Sequence, residues 1–396
     1  MEIALDDDEG NSAREIIIES VGQVPLSISG QRSVPGATSV TQQFSSVPST
    51  IVVWVAGVFG NPSVVYGDAE IEIRARSNGQ VLWSQNAMVR IRKNAEALTD
   101  PERDAFLNAL AVLNDAGNGP FSQFRDTHTN TATLEAHFDA GFLPWHRAYM
   151  IDLERELQAI DPEVSLHYWR FDQAAPYLFT QDFIGLPDRN GVVRFSPGHP
   201  LNSWTTNGQL GISRRMPRIR PNQPPPGVLS EAATLALGNN GRRAYSEFVP
   251  MEGNPHGSAH TRFDGYLSRI PTAARDPLFF MLHCNVDRLW AKWQVLYQRH
   301  DPGDMDAYMQ PFGTQQVGHH LNDTMWPWNG DTSSPRPPTA PRTPLATSTV
   351  PNSLPSAPRI IDMIDYSGAV SGDGHGFHYD DVPFDHSFAQ PSGGMV

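Results

Sequence analysis

Apolar and polar positions alternate with a period of two in the first ninety residues. Ile71, Ile73 and Ala75 take turns with Glu70, Glu72, Arg74 and Arg76, the pattern of a strand with one buried face. The Ile- and Val-rich stretches Glu15–Val21 and Ser49–Val58 read as further strands. Asn78-Gly79 ahead of Val81-Leu82-Trp83 is a hairpin signal. Residues 14–95 are therefore predicted to form a small antiparallel β domain, sandwich-like, preceded by an acidic tail over residues 1–13.

From Thr99 onward the apolar spacing becomes helical. Thr99-Asp-Pro-Glu102 is a capping-box start, followed by Phe106, Leu107, Leu110 and Leu113 on one face. A second helix is predicted from Leu143 to about Ile160, and a third from Asp276-Pro277 through Trp290 and Trp293 to Tyr297. Residues 331–358 carry eight prolines among many Ser and Thr and read as a connector or wrapping arm. Short β-like pieces, Arg359–Tyr366 and Phe377–Asp381, are expected to pack on the core before the tail that ends at residue 396. The fold class predicted is α+β.

Composition narrows the function. The 396-residue chain has net charge −14, which disfavours nucleic acid as a partner. No stretch reaches the roughly 18 apolar residues of a membrane span. The start of the chain lacks the basic and apolar stretches of a secretory signal, so the default expectation is a cytoplasmic protein. The single cysteine, Cys284, excludes an intramolecular disulfide.

Among the 14 histidines two groups stand out. His128, His137 and His146 are spaced nine and nine; His256 and His260 are spaced four, with His283 further on. Positions i and i+4 share a helix face, so His256 and His260 can share a metal ion. Imidazole without carboxylate suits Cu, Zn, Fe or Ni rather than Mg or Ca. Zinc proteases use the same spacing with Glu after the first His, but that position is Gly257. His167, His199, His300, His319, His320, His375, His378 and His386 read as ordinary hydrogen-bonded surface side chains.

The segment from His137 through Trp145-His146-Arg147 to Glu154 resembles the first copper motif of tyrosinases, and Asp276-Pro277 through Phe279, His283, Asn285, Asp287 and Arg288 to Trp290 resembles the second. Arg92-Lys93-Asn94 ahead of Leu98-Thr-Asp-Pro-Glu102 is also similar to the family's approach to its first helix. The resemblance spans about residues 90–330, with an echo at Tyr379–Phe384. It implies a dicopper domain over residues 96–330, built as a four-helix bundle that carries two coppers and uses O2 as co-substrate. His128, His137 and His146 would hold copper A, and His256, His260 and His283 copper B. Leu282 stands where many relatives carry a second histidine, and Glu135 stands where some carry a thioether cysteine.

The implied activity is copper-dependent oxidation of small phenolic substrates, ortho-diphenol to ortho-quinone, extending to monophenol hydroxylation. Two alternatives share these ligands: an ortho-aminophenol oxidase and a hemocyanin-like O2 carrier. A zinc-binding structural protein is the third. By motif matching, Glu252 would be the base that assists phenol deprotonation, but its usual Asn partner is replaced by Gly257. Glu247 is a second carboxylate at similar spacing. Thr261 follows His260, and Ile270 aligns with the residue that gates the pocket. Asp287, one turn after His283, is a candidate orienter of that ring, its alternative being a surface ion pair with Arg288 or Lys292. The Arg214–Arg220 run reads as a surface loop. A copper-delivery partner, or shielding in cis by the β domain, is also expected from the family's habits.

Overall fold

The computed structural model describes residues 1–5, 15–30, 36–44, 49–129, 133–238, 244–308, 317–349 and 352–384. The chain divides into two compact units: Met1–Ile91 with the chain from Phe377 onward, and Arg92–Gly376.

The first unit contains β1 (Glu2–Leu5), β2 (Glu15–Ser20), β3 (Leu26–Ser29), β4 (Ser39–Gln43), β5 (Ser49–Val52), β6 (Trp54–Gly57), β7 (Ala69–Ala75) and β8 (Val81–Ala87). A four-stranded antiparallel sheet runs β4-β2-β7-β8, and β3 pairs with β6 and β1 with β5. Ile18 opposite Ile73 and Ile16 opposite Ala75 face one core, shared with Leu26, Ile28 and Val53. On the outward face Arg74 pairs with Glu19 and Glu72, and Arg76 with Glu15, which keeps that face polar. The β7–β8 hairpin turns at Gly79, whose φ of +73° suits a residue without Cβ.

Four differences from the sequence reading have physical causes. The stretch expected as one strand over Ser49–Val58 breaks at the buried Val53, so that β5 and β6 serve different partners. Part of the expected acidic tail is β1, paired residue by residue with β5. Four-residue β3 is too short to show a period, and polar β4 is a half-exposed edge. Arg359–Tyr366 is not a strand: it makes a single bridge to Thr324 and then the turn Ile361–Met363. Phe377–Asp381 is likewise irregular.

The second unit is built on helices α1 (Asp100–Asn114), α2 (Phe121–Thr127), α3 (Phe142–Ile160) and α4 (Leu278–Tyr297). Thr99 and Glu102 form the reciprocal capping box that starts α1. Helix α3 packs on both α1 and α4, and it is buried almost all round, as is α4. Charges inside this pair are matched. Arg147 of α3 meets Asp287 of α4 at 2.5 Å, and Arg92 bridges Glu154 of α3 at 2.7 Å and Asp287 at 3.0 Å. The Arg147 guanidinium lies over Trp290, 3.7 Å from the ring centre, and over Tyr366 at 4.5 Å. Residues 331–349 wrap the bundle: Arg342 binds Asp152 of α3, and Arg336 binds Glu135. Among the described residues no helix is long and apolar enough to cross a membrane.

Candidate metal centre

The six histidines reach the centre of this unit by five local devices. His128 caps the C-terminus of α2, where its backbone leaves the helix. His137 follows the short turn Thr133–Ala136, and His146 stands one turn into α3. His256 and His260 lie one turn apart on the short helical run that follows the extended Asn254 and ends with Ser258–His260. His283 projects from the buried first half of α4.

One ring nitrogen from each of His128, His137 and His146 lies within 4.8 Å of the others, and the same holds for His256, His260 and His283. The two triads adjoin, with His146 stacked on His283 at 4.2 Å between ring centres. Phe279 of α4 packs against a member of each, its ring centre 4.8 Å from that of His128 and 4.1 Å from that of His283. His260, at 9% exposure, is the most accessible of the six.

Backbone carbonyls set the tautomers. The Nδ1–H groups donate to carbonyls as follows: His128 to Ile270 (2.9 Å), His146 to Phe142 (2.8 Å), His256 to Glu252 (2.8 Å) and His260 to Leu267 (2.8 Å). A carbonyl only accepts, so in these four rings Nδ1 carries the proton and Nε2 keeps its lone pair. The Nε2 atoms of His128 and His146 are buried without a hydrogen-bond partner among the described residues. Those of His256 and His260 stand 3.2 and 3.3 Å from Nε2 of His283. Burial holds the six rings neutral: desolvation lowers His128 to about 3 and His260 to about 4, and it depresses the other four well below the usual histidine range. Two adjoining sets of three inward imidazole lone pairs, with no carboxylate among them, suit a pair of soft-to-borderline transition-metal ions. Unpartnered buried lone pairs are costly, and metal ions would satisfy them.

The other residues singled out from the sequence take varied places. Ile270 is half-buried, and its carbonyl is the partner of His128. Thr261 is exposed, and its hydroxyl turns back to the carbonyls of Gly257 and Ser258. A Cβ on Gly257 would meet only the Glu252 carbonyl, at 3.2 Å. Glu247 lies on the turn Tyr245–Phe248 with its side chain against Gly238. Both oxygens of the Glu252 carboxylate accept from the N–H of Phe138 at 2.9 Å. Desolvation raises its carboxyl to about 7 against the pull of that N–H, with Asp139 adding to the rise.

Asp287 corrects both of its expected roles. It is buried between Arg92 and Arg147, whereas Arg288 and Lys292 bind Glu231 instead. The Nδ1 of His283 has no hydrogen-bond partner among the described residues, so Asp287 does not orient it; the ring is stacked on His146 and packed at a tilt against Phe279.

The bland reading of the remaining histidines also needs correction. His167, His300, His319 and His375 are buried rather than on the surface. His319 accepts from the N–H of Gly141 and meets the carbonyl of Leu134, so it brackets the segment that carries His137. His199 caps the turn after it, as an ordinary histidine does. His386 lies outside the described residues.

Sequence reasoning missed His319 and Glu135 as supports of this segment. Glu135 accepts from the N–H of Trp326 and from Arg336, 201 residues away, a distance at which no local signal exists. The carbonyl partner of His146 is four residues upstream on its own helix and follows from helix geometry; that of His256 lies across the extended Asn254, and those of His128 and His260 come from loops.

Comparison with known proteins places this geometry. Residues 118–296 match the common central domain of tyrosinase. The chain is 29% identical over 301 residues to grixazone synthase of Streptomyces griseus subsp. griseus, covering 62% of this chain and 95% of that one. It is 30% identical over 272 residues to a tyrosinase of Streptomyces glaucescens, covering 61% and 93%. Among solved structures it is similar to deoxygenated hemocyanin from Rapana thomasiana, with 20% identity, a TM-score of 0.50, and coverage of 74% of this chain and 70% of that one.

Proposed function

The chain belongs to the tyrosinase family, a family of copper-dependent phenol-oxidising oxidoreductases, and from that premise we propose that it oxidises ortho-diphenols to ortho-quinones at two copper ions, one held by His128, His137 and His146 and the other by His256, His260 and His283. The observation that carries this reading is the convergence of two adjoining imidazole triads inside the matched domain. When bound, the copper pair supplies O2 activation and Lewis-acid binding of the phenolate oxygen.

The protein's own residues do the rest. The four carbonyls keep Nδ1 protonated and the Nε2 lone pairs pointed inward. Desolvation keeps the rings neutral, so protons do not compete with metal near neutral pH. Phe279 packs against His128 and His283 and gives both triads an apolar neighbour. His260 is the most accessible ligand, which favours approach of the phenol from the second-triad side. Each diphenol gives up two electrons and two protons, and one O2 accepts those of two diphenols to become two waters. The Glu252 carboxylate is engaged with Phe138, and Gly257 offers no side chain to hold a water. We therefore assign monophenol hydroxylation a minor share of the activity.

The test is the absorption spectrum of copper-loaded protein on addition of hydrogen peroxide, followed by O2 uptake with catechol, tyrosol and 2-aminophenol. A strong near-ultraviolet band together with fastest uptake on catechol is the expected result. Fastest uptake on 2-aminophenol would make the enzyme an aminophenol oxidase. A band without turnover would indicate O2 carriage, and no band from protein holding two coppers would remove the ligand assignment.

A further inference from the structure

We propose that Glu252 is a positioning residue whose carboxylate, clamped on the backbone N–H of Phe138, holds the neighbouring His137 where the first metal ion needs it. This rests on the dicopper reading above.

His137 is the ligand with the weakest local support. Four of the other five rings are anchored through Nδ1 to a carbonyl, and His283 stands inside a long buried helix. His137 has neither: its Nδ1 is buried without a hydrogen-bond partner among the described residues, and it lies beyond the end of a four-residue turn. The next residue, Phe138, holds a φ of +70°, a left-handed conformation that a bulky side chain resists. Its ring is 69% exposed, so core packing does not impose that conformation.

What does impose it is the carboxylate of Glu252, which receives the Phe138 N–H on both oxygens at 2.9 Å. Glu252 also stands four residues before His256, and its own carbonyl accepts from that ring. One residue therefore ties the loop of the first triad to the helical run of the second: the side chain fixes the backbone after His137, and the main chain fixes the tautomer of His256.

The strain at Phe138 provides a test that a base or a purely structural residue would not pass. Glycine adopts φ near +70° without penalty, so Phe138→Gly should make the tether dispensable. Copper affinity is measured by chelator competition, with copper counted per chain. Electron paramagnetic resonance separates a lone Cu(II), which gives a signal, from a coupled pair, which does not, and His137→Ala supplies the reference signal for one empty triad. Glu252→Ala is expected to weaken one of the two coppers roughly 10- to 100-fold, the usual scale for groups supporting a ligand, and to give the His137→Ala signal. Glu252→Gln should keep both ions, because an amide oxygen accepts the same N–H. Glu252→Ala/Phe138→Gly should recover most of the lost affinity.

Two coppers held by Glu252→Ala with wild-type affinity would overturn the proposal, and so would a double variant that recovers nothing. Should Glu252→Ala not accumulate as folded protein by circular dichroism, Glu252→Asp, with its carboxylate one methylene short, carries the same comparison with and without Phe138→Gly. Wild-type protein that binds fewer than two coppers would instead fail the dicopper reading itself.

Discussion

At the scale of single residues, His283 differs from His256 and His260 of its own triad because no carbonyl fixes its tautomer; ring packing and a long buried helix hold it. His283→Ala should therefore lower bound copper from two ions toward one and abolish diphenol oxidation, as metal analysis and O2 uptake would register. Retention of two ions would exclude His283 as a ligand.

His167 makes a separate prediction, about stability. Desolvation lowers it to about 3, well below the 6.5 of a free histidine. Between these values the unfolded chain binds a proton that the folded chain refuses, so stability is full above about pH 6.5 and falls as pH drops toward 3. At pH 4.5 this one residue costs about 2 kcal/mol relative to neutral pH. His167→Gln should flatten that part of the stability profile in urea titrations at pH 4.5 and 7, and an unchanged slope would show that His167 does not contribute to it. The two histidine groups were legible because spacing and motif lie in the local sequence. The burial of His167 and His319, and the pairing of Asp287 with Arg147 and Arg92, were not, because the groups around them arrive from elsewhere: Arg147 and Arg92 stand 140 and 195 residues from Asp287.

Among the elements, the ends and faces of helices were readable and their wrappings were not. The Thr99–Glu102 box, the start of α4 near Asp276-Pro277 and the alternation in β7 are local chemistry, and they formed where the sequence placed them. The bend at Asn254 ahead of His256 had no such signal, and the stretch after residue 331 could be read as a connector or wrapping arm but not for what it binds. Its anchor is Asp152 on α3, fully buried, which accepts from Arg342 Nε at 3.0 Å and Nη2 at 2.9 Å, from the Trp328 indole at 3.0 Å and from the Ala346 N–H at 2.9 Å. Removing one partner of a buried pair leaves an uncompensated charge and costs about 3 kcal/mol or more. Arg342→Met should therefore lower the urea midpoint, and adding Asp152→Asn should restore part of it, since the double variant leaves no lone charge. A double variant less stable than Arg342→Met alone would show that the carboxylate stabilises the arm through its other donors.

At the scale of the whole molecule, the division into a β unit and a helical unit was foreshadowed by the change in apolar period near Thr99, but the path of the chain's end was not. The chain from Phe377 onward groups with the β unit, where Phe384 meets Phe59 edge-on at 5.6 Å, a contact between positions far apart in sequence. The helical unit, by contrast, draws its six clustered histidines from five separate stretches between His128 and His283, so a metal pair bound there would cross-link α2, α3, α4 and the loops between them. A pair that binds the folded unit in preference to the unfolded chain stabilises it, by up to roughly 2.7 kcal/mol per site at about 100 times the dissociation constant. Seven of the nine tryptophans, Trp145, Trp169, Trp204, Trp290, Trp293, Trp326 and Trp328, lie in this unit and are buried, so tryptophan emission reports mainly its unfolding. Copper loading should raise the midpoint of thermal unfolding detected by tryptophan emission, and chelation should reverse the rise. His137→Ala should retain only part of it, because one triad remains complete. If the midpoint is the same with and without copper, the metal does not bridge these elements, and the two triads are not the place where it binds.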